Sequence, residues 1–158
     1  MFVFTKQKKH IKWVVFFILF LVLEGCAVKV KLVGEYDAIM DKSVHQIEVK
    51  TITHIEEVIK SKGLLAGSYE QNQQFYFDIK GEIQALIVRA TALEDGLIRT
   101  PLTENFNELL LQYDDLEKLH KGSFNKKMFV SAKTAMERSF KAIIKHLVYM
   151  KWNQEQPE

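Results

Sequence analysis

Apolar residues recur at steps of three and four from residue 35 onward, which is the spacing of one face of an α-helix. The spacing predicts a first helix over residues 35–62, and Gly63 supplies the left-handed conformation with which many helices end. The side chains expected on its buried face are Tyr36, Met40, Val44, Ile47, Thr51, Ile55 and Val58.

Residues 63–74 carry no sustained period, so we expect them to form the longest connection in the chain. The helical spacing resumes over residues 74–94 and predicts a second helix, which Asp95 and Gly96 end. Its buried face is predicted to comprise Tyr76, Ile79, Ile83, Leu86, Ala90 and Leu93.

Thr100 and Pro101 provide a cap residue and a first-turn proline. The third helix therefore begins there or at Thr103, and it runs to about His120. Its buried face is predicted to comprise Phe106, Leu109, Leu110, Tyr113, Leu116 and Leu119.

Residues 121–123 leave room for only a tight turn, which makes the third and fourth helices antiparallel neighbours. Ser123 is the expected cap of the fourth helix, which extends to about Trp152. Its buried face is predicted to comprise Met128, Ala132, Ala135, Met136, Phe140, Ile143, Leu147 and Met150.

Four amphipathic helices, no convincing strand and only two prolines predict an all-α fold, an up-down-up-down four-helix bundle over residues 34–158. Residues 101–119 carry five acids and one lysine, whereas residues 123–152 carry seven bases and one glutamate, which favours packing of the last two helices together. We interpret the basic side chains of the last helix as a solvated face, with contact to phospholipid as the alternative. They are Lys126, Lys127, Lys133, Arg138, Lys141 and Lys145.

The amino terminus follows a different pattern, in which lysines at positions 6, 8, 9 and 12 precede an unbroken apolar run from Trp13 to Leu23. These 11 residues fall short of the roughly 20 that a bilayer-spanning helix needs. A basic segment followed by a short apolar run is typical of an export signal.

Cys26, the only cysteine, lies directly behind this run in the segment Leu23-Glu24-Gly25-Cys26. The segment resembles the lipobox of bacterial lipoproteins, in which an aliphatic residue stands three positions before the cysteine and a small residue immediately before it. The resemblance implies transfer of a diacylglyceryl group to the Cys26 thiol and cleavage after Gly25. Glu24 departs from the pattern, since that position usually carries a small or hydroxylated side chain. An ordinary secretory signal and an uncleaved signal anchor are the alternatives.

The resemblance divides the chain into a cleaved signal over residues 1–25, a lipidated cysteine with a short tether over residues 26–33, and the bundle. It implies attachment to the cell envelope, because two or three acyl chains hold a protein on a bilayer. An aspartate after the cysteine is a common signal for retention in the inner membrane of Gram-negative bacteria. Ala27 occupies that position here, so the outer membrane is the expected location in such a host.

Loss of residues 1–25 removes four of the 22 basic side chains and one of the 20 acidic ones, which leaves a net charge of −1. The sequence pI near 8.5 therefore belongs to the precursor and does not indicate a nucleic-acid partner. With no second cysteine, the chain forms no intramolecular disulfide.

Two cofactor sites have partial support in the sequence. Glu117 and His120 have the Glu-x-x-His spacing of di-iron bundles, but the other helices offer no second copy, so we predict no metal site. Met40 and His146 would lie at the same end of an antiparallel bundle, where such a pair can ligate a haem iron. Met40 fits the apolar stripe equally well as core, so haem is kept only as an alternative to a chain without a cofactor.

The sequence predicts no enzymatic activity. Neither Gly67-Ser68 nor Gly122-Ser123 has the Gly-x-Ser-x-Gly context of a nucleophilic serine. His45 and His54 are nine residues apart, about 900° of helical rotation, so they face opposite sides of one helix.

Two functions stay open. In the first, the bundle of a non-enzymatic lipoprotein binds another envelope protein, with residues 63–74 and the helix ends as candidate contacts. In the second, the bundle interior carries a ligand or a cofactor such as haem. The first predicts a tightly packed apolar core, and the second predicts an internal pocket with convergent polar groups.

Overall fold

The computed structural model describes residues 35–97, 100–122 and 124–156. The predicted signal and anchor, with Leu23, Gly25 and Cys26, and the tether that follows lie outside the described residues. None of the described helices combines the length and the apolar character needed to cross a bilayer.

The described residues form four long helices and a short 3-10 turn at Leu65–Gly67, with no strand among them. This confirms the prediction of an all-α helical bundle. The helices are α1 (Ala38–Lys60), α2 (Tyr69–Leu93), α3 (Pro101–Lys121) and α4 (Lys126–Glu155).

Two short polar side chains set the beginnings of α1 and α4. Asp37 Oδ1 accepts hydrogen bonds from the backbone N–H groups of Ile39 and Met40 at 2.8 and 3.1 Å. Asn125 does the same for the second and third residues of α4, so it takes the cap role that we expected of Ser123. Each cap satisfies backbone donors that have no partner inside the helix.

α2 begins at Tyr69, five residues before the predicted start, so the connection between α1 and α2 is shorter than expected. Residues 70–73 are all polar, and a helical turn without apolar residues leaves no period in the sequence. The turn is fixed by Asn72, whose Nδ2 donates to the carbonyl oxygens of Ala66 and Ser68 at 2.8 and 2.6 Å.

The glycines that were expected to end the first two helices do adopt the left-handed conformation. Gly63 has φ +78° and Gly96 has φ +75°. α1 ends at Lys60 and α2 at Leu93, within two residues of the predicted ends.

All four helices contribute to one apolar core, and the predicted faces of α1 and α2 form it largely as expected. The start of α4 is the main correction. Met128 is 52% exposed, whereas its neighbour Phe129 is completely buried. The Phe129 ring stacks on Phe124 at 4.9 Å and meets the edge of His120, so the larger aromatic surface occupies the interior.

α2 packs extensively on α3, α3 on α4 and α4 on α1, whereas α1 and α2 touch more sparingly. Tyr36, before α1, lies beside Lys151 near the end of α4, and Tyr69 at the start of α2 reaches Glu117 near the end of α3. These contacts bring the start of α1 to the end of α4 and the start of α2 to the end of α3, and the up-down-up-down order stays a prediction. We call the end that holds Tyr36 and Lys151 the tether end.

Candidate functional site

A cluster of histidine and aromatic side chains fills the end of the bundle opposite to the tether end, which we call the histidine end. His54 on α1 and His120 on α3 are only 8% and 7% exposed, and their ring centroids lie 6.3 Å apart. The rings that surround them are Tyr69, Phe75, Tyr76 and Phe129.

Both ring nitrogens of His120 are engaged. Nε2 lies 3.0 Å from the carbonyl oxygen of Gly67, and Nδ1 lies 2.8 Å from the hydroxyl of Tyr76. A carbonyl oxygen only accepts, so this network assigns the proton to Nε2 and leaves Nδ1 to accept the Tyr76 O–H. Burial raises the pKa of Tyr76 far above its ordinary value, which keeps that hydroxyl a donor. His120 thereby connects α3 to α2 and to the 3-10 turn.

His54 is buried with less polar compensation. Its ring stacks on Phe75 at 3.6 Å between centroids, and its Nε2 is buried without a hydrogen-bond partner. Burial, and secondarily the proximity of His120, lowers the pKa of His54 to about 4. The side chain is therefore neutral at pH 7.

An ion cluster covers the same end of the bundle. Glu117 accepts from Lys80 at 2.7 Å, from the Tyr69 hydroxyl at 2.7 Å and from Lys121 at 2.9 Å. Lys80 also reaches Asp114 at 3.0 Å. Lys80 contributes most to holding the pKa of Glu117 at about 2, so the carboxylate stays ionised at neutral pH.

These contacts give the Glu-x-x-His spacing of α3 a structural role. The carboxylate of Glu117 receives ammonium and phenol donors, and both nitrogens of His120 are occupied by protein groups. Within the described residues, no group of three or more histidine, cysteine, aspartate or glutamate side chains is placed to hold a metal ion.

An open apolar groove of about 400 Å³ lies between α3 and α4 on the half of the bundle nearer to the histidine end. We call it the α3–α4 groove. Met128 and the small side chains Ala132 and Ala135 line its α4 side, and Gln112, whose Nε2 donates to the Ser139 hydroxyl at 2.8 Å, lies on its α3 side. The complete lining is Gln112, Asp115, Leu116, Leu119, Lys127, Met128, Ser131, Ala132, Ala135 and Met136.

The two side chains considered for haem occupy unlike environments. Met40 is completely buried within the apolar core. His146 lines a surface groove of about 250 Å³ with Asn105 and Lys145. Burial lowers the pKa of His146, and nearby Glu94 opposes that effect. Core packing accounts for Met40, and the haem pair stays a hypothesis.

The connection between α1 and α2, which was expected to offer contacts to a partner, presents Leu64 and Leu65 largely exposed. Its Gly67 is packed against the backbone of Ser61, where an added Cβ would collide with the Ser61 carbonyl. The close approach brings the Gly67 carbonyl within reach of His120.

Sequence reasoning missed the burial of both histidines and the α3–α4 groove. His54 directly precedes Ile55 of the predicted stripe, and His120 lies four residues after Leu116, so a period search that counted histidine as apolar would have included both. The groove had no comparable sequence feature, because Met128 was expected inside. No family model, curated protein or solved structure matches this chain.

Proposed function

We propose that this chain is a lipid-anchored, non-enzymatic protein of the bacterial cell envelope, whose helical bundle binds another protein through the α3–α4 groove. The order of basic segment, apolar run, Gly25 and Cys26 supports the anchor. The α3–α4 groove is the observation that carries the binding role.

The groove has the chemistry of a site that accepts an amphipathic helix. Ala132 and Ala135 leave space for the close approach of another backbone, and Met128 offers a flexible thioether that adapts to different apolar partners. Lys127 and Asp115 lie at the groove with opposite charges, which can fix the direction of a bound helix.

The position of the groove suits a protein held close to a membrane. Cys26 precedes Tyr36 by ten residues, which span at most about 36 Å when fully extended. The tether therefore joins the bundle at the end that holds Tyr36, and the groove lies towards the opposite end. The groove is therefore remote from the residue at which the chain enters the bundle.

Site-specific crosslinking in intact cells tests the binding role. A photoreactive residue in place of Ala132 should yield a discrete crosslinked species, whereas one in place of the exposed Lys42 on α1 should not. An added Ala135→Arg substitution would place a long cation in the groove and should abolish the species without lowering the melting temperature. Equal crosslinking from both positions, or persistence with Ala135→Arg, would contradict the proposal.

Metabolic labelling with an alkyne fatty acid tests the anchor. The wild-type chain should incorporate the label and Cys26→Ser should not. Since Glu24 departs from the lipobox pattern, Glu24→Ser should accelerate processing, seen as a smaller precursor pool in a pulse-chase experiment. Equal labelling of the wild-type chain and Cys26→Ser would refute the attachment at Cys26.

A further inference from the structure

A line of exposed side chains follows α4 towards the tether end at steps of three and four residues. Its first part is basic, and its second part is apolar and aromatic, with Trp152 56% exposed. We call this surface the α4 strip. It consists of Arg138, Lys141, Lys145, Val148, Tyr149 and Trp152.

The three cations of the α4 strip differ from other bases of the bundle in their ion pairs. Lys133, on another side of α4, is bound to Glu56 at 2.6 Å. Within the described residues, Arg138, Lys141 and Lys145 form no ion pair. The strip therefore carries a net charge of +3.

The aromatic part of the strip lies at the end of the bundle where the tether joins. The ammonium of Lys151 lies 5.8 Å from the centre of the Tyr36 ring, which places the last turns of α4 beside the start of α1. Tyr149 and Trp152 are thus near Tyr36. Ten residues separate Tyr36 from Cys26, so the two lie at most about 36 Å apart.

A small surface groove adds hydrogen-bonding groups beside the strip. Lys145, Tyr149, Asn105 and His146 line it together with Ala142, around a volume of about 250 Å³. An ammonium, an amide and a phenol can together donate hydrogen bonds to the phosphate oxygens of one lipid headgroup.

We propose that the α4 strip lies against an anionic phospholipid surface, with its three cations among the headgroup phosphates and Tyr149 and Trp152 at the interfacial level. Basic side chains near a bilayer are attracted to anionic lipids, and amphipathic aromatic rings favour the interface. The nearness of the bilayer rests on the proposed anchor at Cys26. The strip then orients the bundle relative to the bilayer.

Trp152 provides a direct probe of this contact. Trp13 lies in the signal that the proposed cleavage removes, so Trp152 is the only tryptophan of the processed chain, and a Trp13→Phe background excludes emission from any unprocessed precursor. The protein extracted from membranes would be reconstituted into vesicles of phosphatidylcholine alone or mixed with phosphatidylglycerol. The readouts are the Trp152 emission maximum and its quenching by phosphatidylcholine with brominated acyl chains.

Phosphatidylglycerol should shift the Trp152 emission to shorter wavelength and increase quenching at about 0.01 M salt. The effect should reverse at about 1 M salt, where the screening length falls roughly tenfold. Combined substitution of Arg138, Lys141 and Lys145 by Gln should lower the ratio of membrane-apposed to free bundle by on the order of a hundredfold, about fivefold for each charge.

A matched triple variant removes the same charge elsewhere. Lys42, Lys60 and Lys118 are exposed on α1 and α3, and their replacement by Gln should leave the Trp152 response unchanged. Identical Trp152 emission in both lipids, or equal loss in both triple variants, would overturn the proposal. The mass of the same sample reports acylation separately, so failure of the anchor and failure of the strip are distinguishable.

Discussion

Glu94, at the end of α2, caps the start of α3 by accepting a hydrogen bond from the backbone N–H of Leu102 at 2.7 Å. Its second oxygen accepts from the N–H and the hydroxyl of Thr103 at 2.9 and 2.7 Å. Glu94 is only 2% exposed, so these donors replace the water that the carboxylate loses on folding. Thr100, which the sequence proposed as the cap, makes no side-chain cap bond.

The capping by Glu94 predicts that Glu94→Ala destabilises the protein more than Thr100→Ala does, whereas the sequence alone would predict the opposite order. Glu94→Ala removes three hydrogen bonds and exposes unpaired donors at a helix start, and it should lower the free energy of unfolding by about 1–3 kcal/mol. Thr100→Ala should change it by less than about 0.5 kcal/mol. Urea unfolding monitored by circular dichroism measures both, and a larger loss in Thr100→Ala would contradict the cap assignment.

The histidine end should make the bundle sensitive to mild acid. Burial lowers the pKa of His54 from 6.5 to about 4, so the unfolded chain takes up this proton at a higher pH than the folded chain. With respect to His54, the free energy of unfolding should have its full value above pH 6.5. It should decline by on the order of 3 kcal/mol as the pH falls towards 4. The groups that face His54 are His120 on α3 and the aromatic residues Phe75 and Tyr76 on α2.

Two histidine variants test this pH dependence by unfolding at a series of pH values. His54→Leu should reduce the slope of the curve between pH 6.5 and 4, the interval set by the pKa shift, and His146, whose pKa burial also lowers, should keep part of it. His45→Leu, on the exposed side of the same helix, is the matched control for the loss of an imidazole. An unchanged slope in His54→Leu would show that another group titrates.

The Glu117 cluster should make the free energy of unfolding depend on pH in a separate and more acidic range than His54 does. Lys80, Lys121 and Tyr69 stabilise the ionised carboxylate and lower the pKa of Glu117 from 4.5 to about 2. Its contribution is present above pH 4.5 and is lost as the pH falls towards 2. Glu117→Gln should lower the free energy of unfolding at pH 7 by about 1–3 kcal/mol, and the difference from wild type should vanish near pH 2.

Asp115→Asn is the matched control for Glu117→Gln. Asp115 is almost fully exposed and makes one surface ion pair with Lys118. Such pairs contribute about 0–1 kcal/mol, so this variant should resemble the wild type at pH 7. Equal effects of the two variants would argue against the cluster.

Gly67 and Gly81 should respond to alanine in opposite directions. A Cβ at Gly67 would collide with the Ser61 carbonyl and displace the carbonyl that His120 contacts, so Gly67→Ala should lower the melting temperature. A Cβ at Gly81, inside α2, meets no atom within 4 Å. Gly81→Ala should therefore stabilise the bundle by about 0.5–1 kcal/mol. Calorimetry of both variants checks the sign of each effect.

The sequence predicted the features that depend on local periodicity. Residues such as Val44, Ile83 and Phe140 lie where the helical spacing placed them, because an amphipathic helix has to bury its apolar face. The starting residue of α2 was missed, since the polar residues 70–73 form a helical turn without an apolar period.

Contacts between distant residues could not be read from the sequence. Nothing in it reveals that Glu94 reaches across a loop to Leu102, or that Gly67 approaches His120. The α3–α4 groove likewise depends on which of Met128 and Phe129 turns inward. The packing of side chains from different helices determines each of these contacts, and the periodicity of the sequence does not constrain that packing.

The central claim is that Cys26 becomes the acylated first residue of the mature protein. Intact-mass and peptide mass spectrometry of the membrane-extracted chain tests it most directly, with Cys26→Ser analysed in parallel. The account predicts a terminus at Cys26 that carries acyl mass in the wild-type chain and no acyl mass in Cys26→Ser. An intact precursor, or cleavage at another residue without lipid, would contradict it.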